Sequence, residues 1–260
     1  MSIGRAYDKI RQLSSGYEPD SLEVVKEVEK YRQFWKPRGK TNVILLAESH
    51  VYTNNQDFEI YLDRSKISAA ANSVVDFEGY PHRFVRFVYC LGYGENGLLS
   101  HKPKDNAGTW QFWKIFSSCV ADSKHKLNND FKRILKTGTP DSEERHRNKV
   151  EVLRKMREDM GIWLVDASIV GLYGTESKLS GRQKERIIRS SWDDHIADVV
   201  RESQPRHIII VGKGVYRVLW NEPKIKKVGF TVIDQPQARV DSVTQLRNYQ
   251  KYQEVCHEYA

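Results

Sequence analysis

The residues of this chain that could do chemistry gather at the ends of its apolar runs. Val43-Ile44-Leu45-Leu46 leads into Ala47-Glu48-Ser49-His50, so a carboxylate and an imidazole follow four apolar positions. Ile162-Trp163-Leu164-Val165 ends in Asp166, and His207-Ile208-Ile209-Ile210-Val211 ends in Gly212-Lys213-Gly214. A fourth run, Val228 to Ile233, ends in Asp234-Gln235-Pro236. A carboxylate can stabilise a sugar cation or orient and deprotonate a water. An imidazole can donate a proton near neutral pH, hold a phosphate, or serve only as a hydrogen-bonding group within its loop. Glu48 and His50 are therefore the candidate catalytic residues.

Val43 to Leu46 predicts a strand buried on both faces, the three further apolar runs also read as strands, and ligands of open α/β sheets bind beyond the carboxyl ends of such strands. The segments between them read as helices. Ser21 is an N-cap for a helix carrying Val24, Val25, Val28, Tyr31 and Trp35 and stopping at Pro37. Arg182 to Ser203 places Ile187, Ile188, Trp192, Ile196, Val199 and Val200 on one stripe. Gly212-Lys213-Gly214 permits a tight turn into a short helix through Val215, Val218 and Leu219. The alternation predicts an α/β fold of three layers, α/β/α, with a four-stranded parallel sheet. The Gly-Lys-Gly turn has neither the dinucleotide fingerprint nor the P-loop spacing, so no nucleotide cofactor is expected.

At 260 residues the chain fits one globular unit, with the unusually charged stretch around 122–160 read as a helical insertion. Lys plus Arg outnumber Asp plus Glu by 42 to 34, a formal charge of +8 that favours a polyanionic partner. No apolar stretch approaches the roughly 20 residues that span a bilayer, and Met1-Ser2-Ile3-Gly4-Arg5 lacks the apolar core of a signal peptide. An intracellular protein without a membrane or an obligate protein partner is the expectation. Cys90, Cys119 and Cys256 are too far apart for a disulfide framework or a cysteine metal site, so reduced thiols and no metal are expected.

In order and spacing, the four run ends resemble the motifs of the uracil-DNA glycosylase superfamily over roughly residues 40–245. Ala47-Glu48-Ser49-His50 stands at the family's first motif, and Glu48 matches the acid of its thermophilic-type branch. Leu164-Val165-Asp166-Ala167-Ser168 stands where the family's strand ends in the Asn that reads the extruded base. The run Ile208 to Val215 is the closest match, and Ile233-Asp234-Gln235-Pro236-Gln237-Ala238-Arg239 falls on the His-Pro-Ser motif and the wedging loop. Three departures stand out. His50 replaces the first-motif Pro, Gln235 replaces the last-motif His, and the iron-sulfur cysteines are absent.

The resemblance implies a compact α/β/α fold and a DNA N-glycosylase that flips its target nucleotide out of the stack. Glu48 would act at C1′, and Tyr52 and Phe58 would sandwich the base. Asp166 would read it, with Gln235 contacting base or phosphate. Lys213, Arg239 and Val240 would contact DNA, the last two from the wedging loop. An ionised Asp is acceptor-only and suits the N4 amino group of cytosine better than O4 of uracil. Because removal of ordinary cytosine would destroy the host genome, the expected substrate is a modified cytosine, hydroxymethylated or glucosylated as in phage DNA. The expected role is anti-phage defence. Three alternatives stay open: a uracil or deaminated-base repair glycosylase, a catalytically silent DNA-binding relative, and a metal-dependent nuclease built on Glu48, Asp166 and Asp234.

Overall fold

The computed structural model describes residues 3–13, 16–71, 75–122, 127–175, 178–235 and 240–260. Its centre is a four-stranded, all-parallel sheet made of β1 (Val43–Ala47), β2 (Ile162–Asp166), β3 (His207–Val211) and β4 (Phe230–Ile233), in the order β2-β1-β3-β4. Every residue of β1, β2 and β3 is buried, as the uninterrupted apolar runs require. β4 is an edge strand and only Ile233 in it is buried. At the opposite edge the Leu164 N–H donates to the Tyr89 hydroxyl at 2.8 Å.

Helices flank the sheet in two packed groups, in agreement with the expected layering. The first comprises α1 (Ile3–Leu13), α2 (Leu22–Phe34), α8 (Gly181–Ser191), α9 (Ala197–Ser203) and α10 (Lys213–Leu219). The Ser21 side chain caps α2 by accepting from the Val24 N–H, and the helix closes on Trp35 before Pro37. The predicted stripe from Arg182 onward forms α8 and α9, joined by a π-helical segment, Trp192–Ile196. The second group comprises α4 (Arg64–Ala71), α5 (Trp110–Val120), α6 (Leu127–Ile134), α7 (Ser142–Arg154) and α12 (Ser242–Tyr259). Two short helices remain, α3 (Asn55–Phe58) after β1 and α11 (Pro223–Val228) before β4.

The described part of the charged stretch around 122–160 holds α6, α7 and the π-helical segment Lys155–Asp159, with a non-helical connection between α6 and α7. Its charge is not all on the surface. Arg145, His146 and Lys149 on α7 are buried around the equally buried Glu95, with Arg145 bonding both carboxylate oxygens at 2.8 and 2.7 Å and Lys149 donating at 2.7 Å. Arg145 and Lys149 are therefore not part of a basic surface. Burial opposes ionisation of Glu95, but Arg145, His146 and Lys149 outweigh it and hold the carboxyl well below the usual range. All three cysteines are buried free thiols.

Candidate functional site

The carboxyl ends of β1 and β2 lie side by side, since Ala47 pairs with Asp166 and the Glu48 carbonyl accepts the Ser168 N–H at 3.0 Å. The loops that follow stay together. Val51 bridges to Tyr173, the Tyr52 N–H donates to the Tyr173 carbonyl at 2.8 Å, and the Leu172 N–H donates to Ser49 Oγ at 3.1 Å. This register brings the Tyr173 hydroxyl to Glu48 Oε2 at 2.7 Å. Burial, together with the adjacent Glu48 carboxylate, pushes the Tyr173 phenol up, so it stays protonated and donates. The Lys184 ammonium sits 3.7 Å from the centroid of the same ring. Glu48 is half-buried and Tyr173 exposed, so the pair faces solvent at the strand ends.

Behind this pair lies a buried chain of alternating charges. His50 is fully buried, with Nε2 3.3 Å from Asp20 Oδ2 and Nδ1 3.6 Å from Asp166 Oδ2. These are ion-pair distances, and neither ring nitrogen makes a well-directed hydrogen bond. Asp166 Oδ2 also lies 3.5 Å from Arg32 Nη2, and Arg32 Nη1 bonds Glu29. Glu29 in turn lies 3.9 Å from His195 Nε2. Burial would lower the His50 pKa, but the charge of Asp20 and the contacts with Asp166 outweigh it and raise it to about 9. His50 is therefore an imidazolium at neutral pH. Burial likewise works against ionisation of Glu29, and the Arg32 charge with help from His195 brings it down to about 2.

Asp20 holds this chain to the backbone. Its Oδ1 accepts the Thr53 N–H and its Oδ2 the Gly171 N–H, both at 2.6 Å, so one carboxylate ties the loop after β1 to the loop after β2. Gly171 is the point of closest approach: a Cβ there would meet the Tyr52 nitrogen at 2.5 Å and its Cα at 2.7 Å. Tyr17 adds a second tie by donating its hydroxyl to the Gly171 carbonyl at 2.5 Å.

The expected site residues thus divide. Glu48 stands at the carboxyl end of β1, and Tyr52 in the loop that follows joins the Tyr173 loop through its backbone N–H. His50, expected as a catalytic residue at the strand end, and Asp166, expected to read the base, are instead buried, with Asp166 only 2% exposed. Their charges require partners that the interior supplies. Phe58 is buried with the Arg83 guanidinium 4.9 Å from its ring centroid, so it is core and not a stacking face for a base. Gln235 is half-buried over the turn between β3 and α10, within 3.2 Å of where a Cβ on Gly212 would stand. Lys213 is exposed and pairs with Asp234 at 3.1 Å. Val240 is exposed, and Arg239 lies outside the described residues.

The nuclease alternative loses its site. Asp166 is engaged by His50 and Arg32, Asp234 by Lys213, and no acid cluster able to hold a metal exists among the described residues. Sequence reading missed Asp20, Arg32 and Tyr173. The first two sit in helical or loop contexts with no local sign of function. Tyr173 could have been found as the aromatic that follows Asp166 by seven residues in the adjacent loop. No helix among the described residues is long and apolar enough to cross a membrane. No family model, curated protein or solved structure matches the chain.

Proposed function

We propose that this protein is a DNA N-glycosylase that removes a modified base from a flipped nucleotide, with Glu48 as its catalytic carboxylate. The observation that carries the reading is the Glu48–Tyr173 pair, a solvent-facing carboxylate held at 2.7 Å by a protonated phenol at the carboxyl end of the central strand. Hydrolysis of the glycosidic bond breaks C1′–N and forms C1′–O, with water supplying the oxygen and the departing base gaining a proton. Glu48 opposes the positive charge that develops on the sugar and receives the proton of the attacking water. Tyr173 fixes the carboxylate in one orientation and presents an aromatic ring beside it for stacking on the extruded base. The excess of 42 basic over 34 acidic residues supports a polyanionic substrate.

In this reading Asp166 is a positioning residue. Its Oδ2 faces His50 and Arg32, so the case for cytosine that rested on a direct contact between Asp166 and the base weakens. What remains is the biological argument that an enzyme excising a normal base would be toxic, which confines the substrate to modified or deaminated bases, and modified cytosine with an anti-phage role stays the first proposal. The engagement of Asp166 also removes the electrostatic objection to uracil, and a deaminated-base repair enzyme is the second reading. One experiment separates them. Wild-type and Glu48→Ala protein are incubated with EDTA on DNAs containing cytosine, uracil, hydroxymethylcytosine or glucosylated hydroxymethylcytosine, and released base is identified by mass spectrometry. Release from the modified cytosines alone, lost in the variant, is the expected result. Release of uracil alone establishes the second reading, and no release from any of the four overturns the proposal for these bases.

A further inference from the structure

A cavity of about 420 Å³ opens between the glycine-rich segment around Gly94, the start of α5 and the α6–α7 connection, and shares no lining residue with the Glu48 site. That volume is in the range of small-molecule pockets, about 300–1,000 Å³. Its walls are apolar and aromatic, including Tyr93, Trp110, Trp113 and Ile134. Gly94 and Gly108 cross in backbone contact, where a Cβ on Gly108 would lie 2.8 Å from Gly94 Cα. Asn106 fixes the crossing by accepting from the Gly94 N–H at 2.7 Å and donating to the Gly92 carbonyl at 3.0 Å.

The polar groups of this cavity are biased toward an anion. Its lining holds Lys114 and Lys136 together with a Lys149–Glu95 pair at 2.7 Å, and Glu95 is further neutralised by Arg145. Among the described residues Lys114 has no carboxylate partner. Its ammonium rests instead on aromatic rings, 4.9 Å from the Trp110 centroid and 5.3 Å from that of Phe131. Burial accordingly lowers its pKa, and a bound anion would reverse that shift. The N-terminus of the 11-residue helix α5 also borders the cavity, and its N-cap Thr109 makes no side-chain capping bond. Thr109 Oγ1 is buried without any partner. Trp110 is 46% exposed, which leaves ring surface open to a ligand.

We infer that this cavity is a binding site for a free nucleoside phosphate, whose base packs against Trp110 and whose phosphate meets Lys114, Thr109 and the start of α5. Planar aromatic walls match a base. The two ammonium groups of Lys114 and Lys136 with a helix N-terminus match a phosphate of charge about −2 better than a single carboxylate.

Isothermal titration tests the assignment, using the full chain with nucleoside monophosphates and diphosphates of all four bases, adenosine, inorganic phosphate and a single-stranded oligonucleotide. The expected result is saturable binding of at least one nucleoside phosphate, weakened about tenfold or more by Lys114→Ala and by Trp110→Ala, and unchanged by Glu48→Ala. Trp110 and Lys114 are at the cavity rim, and thermal melts confirm that both variants fold. No heat from any nucleoside phosphate up to about 1 mM overturns the inference. So does equal affinity for inorganic phosphate alone, or an affinity unaffected by either variant. Binding of the oligonucleotide but not of free nucleotides overturns it in favour of a nucleic-acid strand. Because the site is separate from Glu48, its failure leaves the glycosylase proposal standing, and the reverse also holds.

Discussion

Asp20 Oδ2 lies 3.3 Å from His50 Nε2, and the same oxygen accepts the Gly171 N–H at 2.6 Å. One carboxylate therefore both charges the imidazole and fixes the loop that delivers Tyr173 to Glu48. From Glu29 through Arg32, Asp166 and His50 to Asp20 the charges alternate, and removal of an inner member costs each of its neighbours one of its charged partners.

Glu48→Gln is expected to lower the rate of base release about 10²- to 10⁴-fold, the usual contribution of an acid–base group, with little change in the melting temperature. Tyr173→Phe keeps the ring and loses only the hydroxyl that donates to Glu48 at 2.7 Å, so it should have a smaller effect. Single-turnover rates on whichever DNA is cleaved decide this. A Glu48→Gln rate within twofold or so of wild type would remove Glu48 from the chemistry.

His50 predicts a pH dependence of stability. Its pKa is raised from the ordinary 6.5 to about 9 in the folded protein, so the folded state holds the proton more tightly than the unfolded chain. The resulting stabilisation, on the order of 3 kcal/mol, is fully present below pH ~6.5, declines as the pH rises, and is lost above about 9. Urea unfolding midpoints measured across this window should fall with pH for the wild type and much less for His50→Gln. The same slope in both proteins would show that His50 is not the group responsible.

Arg32→Met takes from buried Asp166 and from Glu29 a shared cation, leaving Asp166 only His50, and is expected to destabilise the fold by about 3–5 kcal/mol, whereas Arg32→Met combined with Asp166→Asn should lose less than the sum of the single changes. Chemical denaturation of all four proteins gives the coupling. As a positioning residue, Asp166 also predicts that Asp166→Asn slows the reaction without altering the preference between cytosine-type and uracil DNA. A reversal of that preference would make it a base reader after all.

Gly171→Ala places a Cβ 2.5 Å from the Tyr52 nitrogen, so the two loops must separate. A loss of about 1–3 kcal/mol is expected, read as a drop of several degrees in the melting temperature, together with reduced activity as Tyr173 shifts from Glu48. Normal stability and activity would mean that the contact between these loops is slack.

The fold was largely legible because its signals are local. Runs such as Ile208-Ile209-Ile210 announce a doubly buried strand by composition, and Ser21 announces a helix start by its chemistry. The place of Glu48 followed from the same logic, since a polar residue after a central strand of a parallel sheet must stand at its carboxyl end. The role of Phe58 did not, because aromatic residues at similar spacing serve core and site alike, and only the packing of Arg83 over the ring distinguishes them.

What the sequence determined by itself was the number of strands, their parallel direction and the presence of acids at their ends, all set by short-range pattern. Only the tertiary structure decided which of those acids faces solvent. Asp20, Arg32, His50 and Asp166 are distant in sequence and polar in kind, so nothing local foretells their burial. They can be buried because folding brings opposite charges together from four separate segments, compensating for the water that each group gives up.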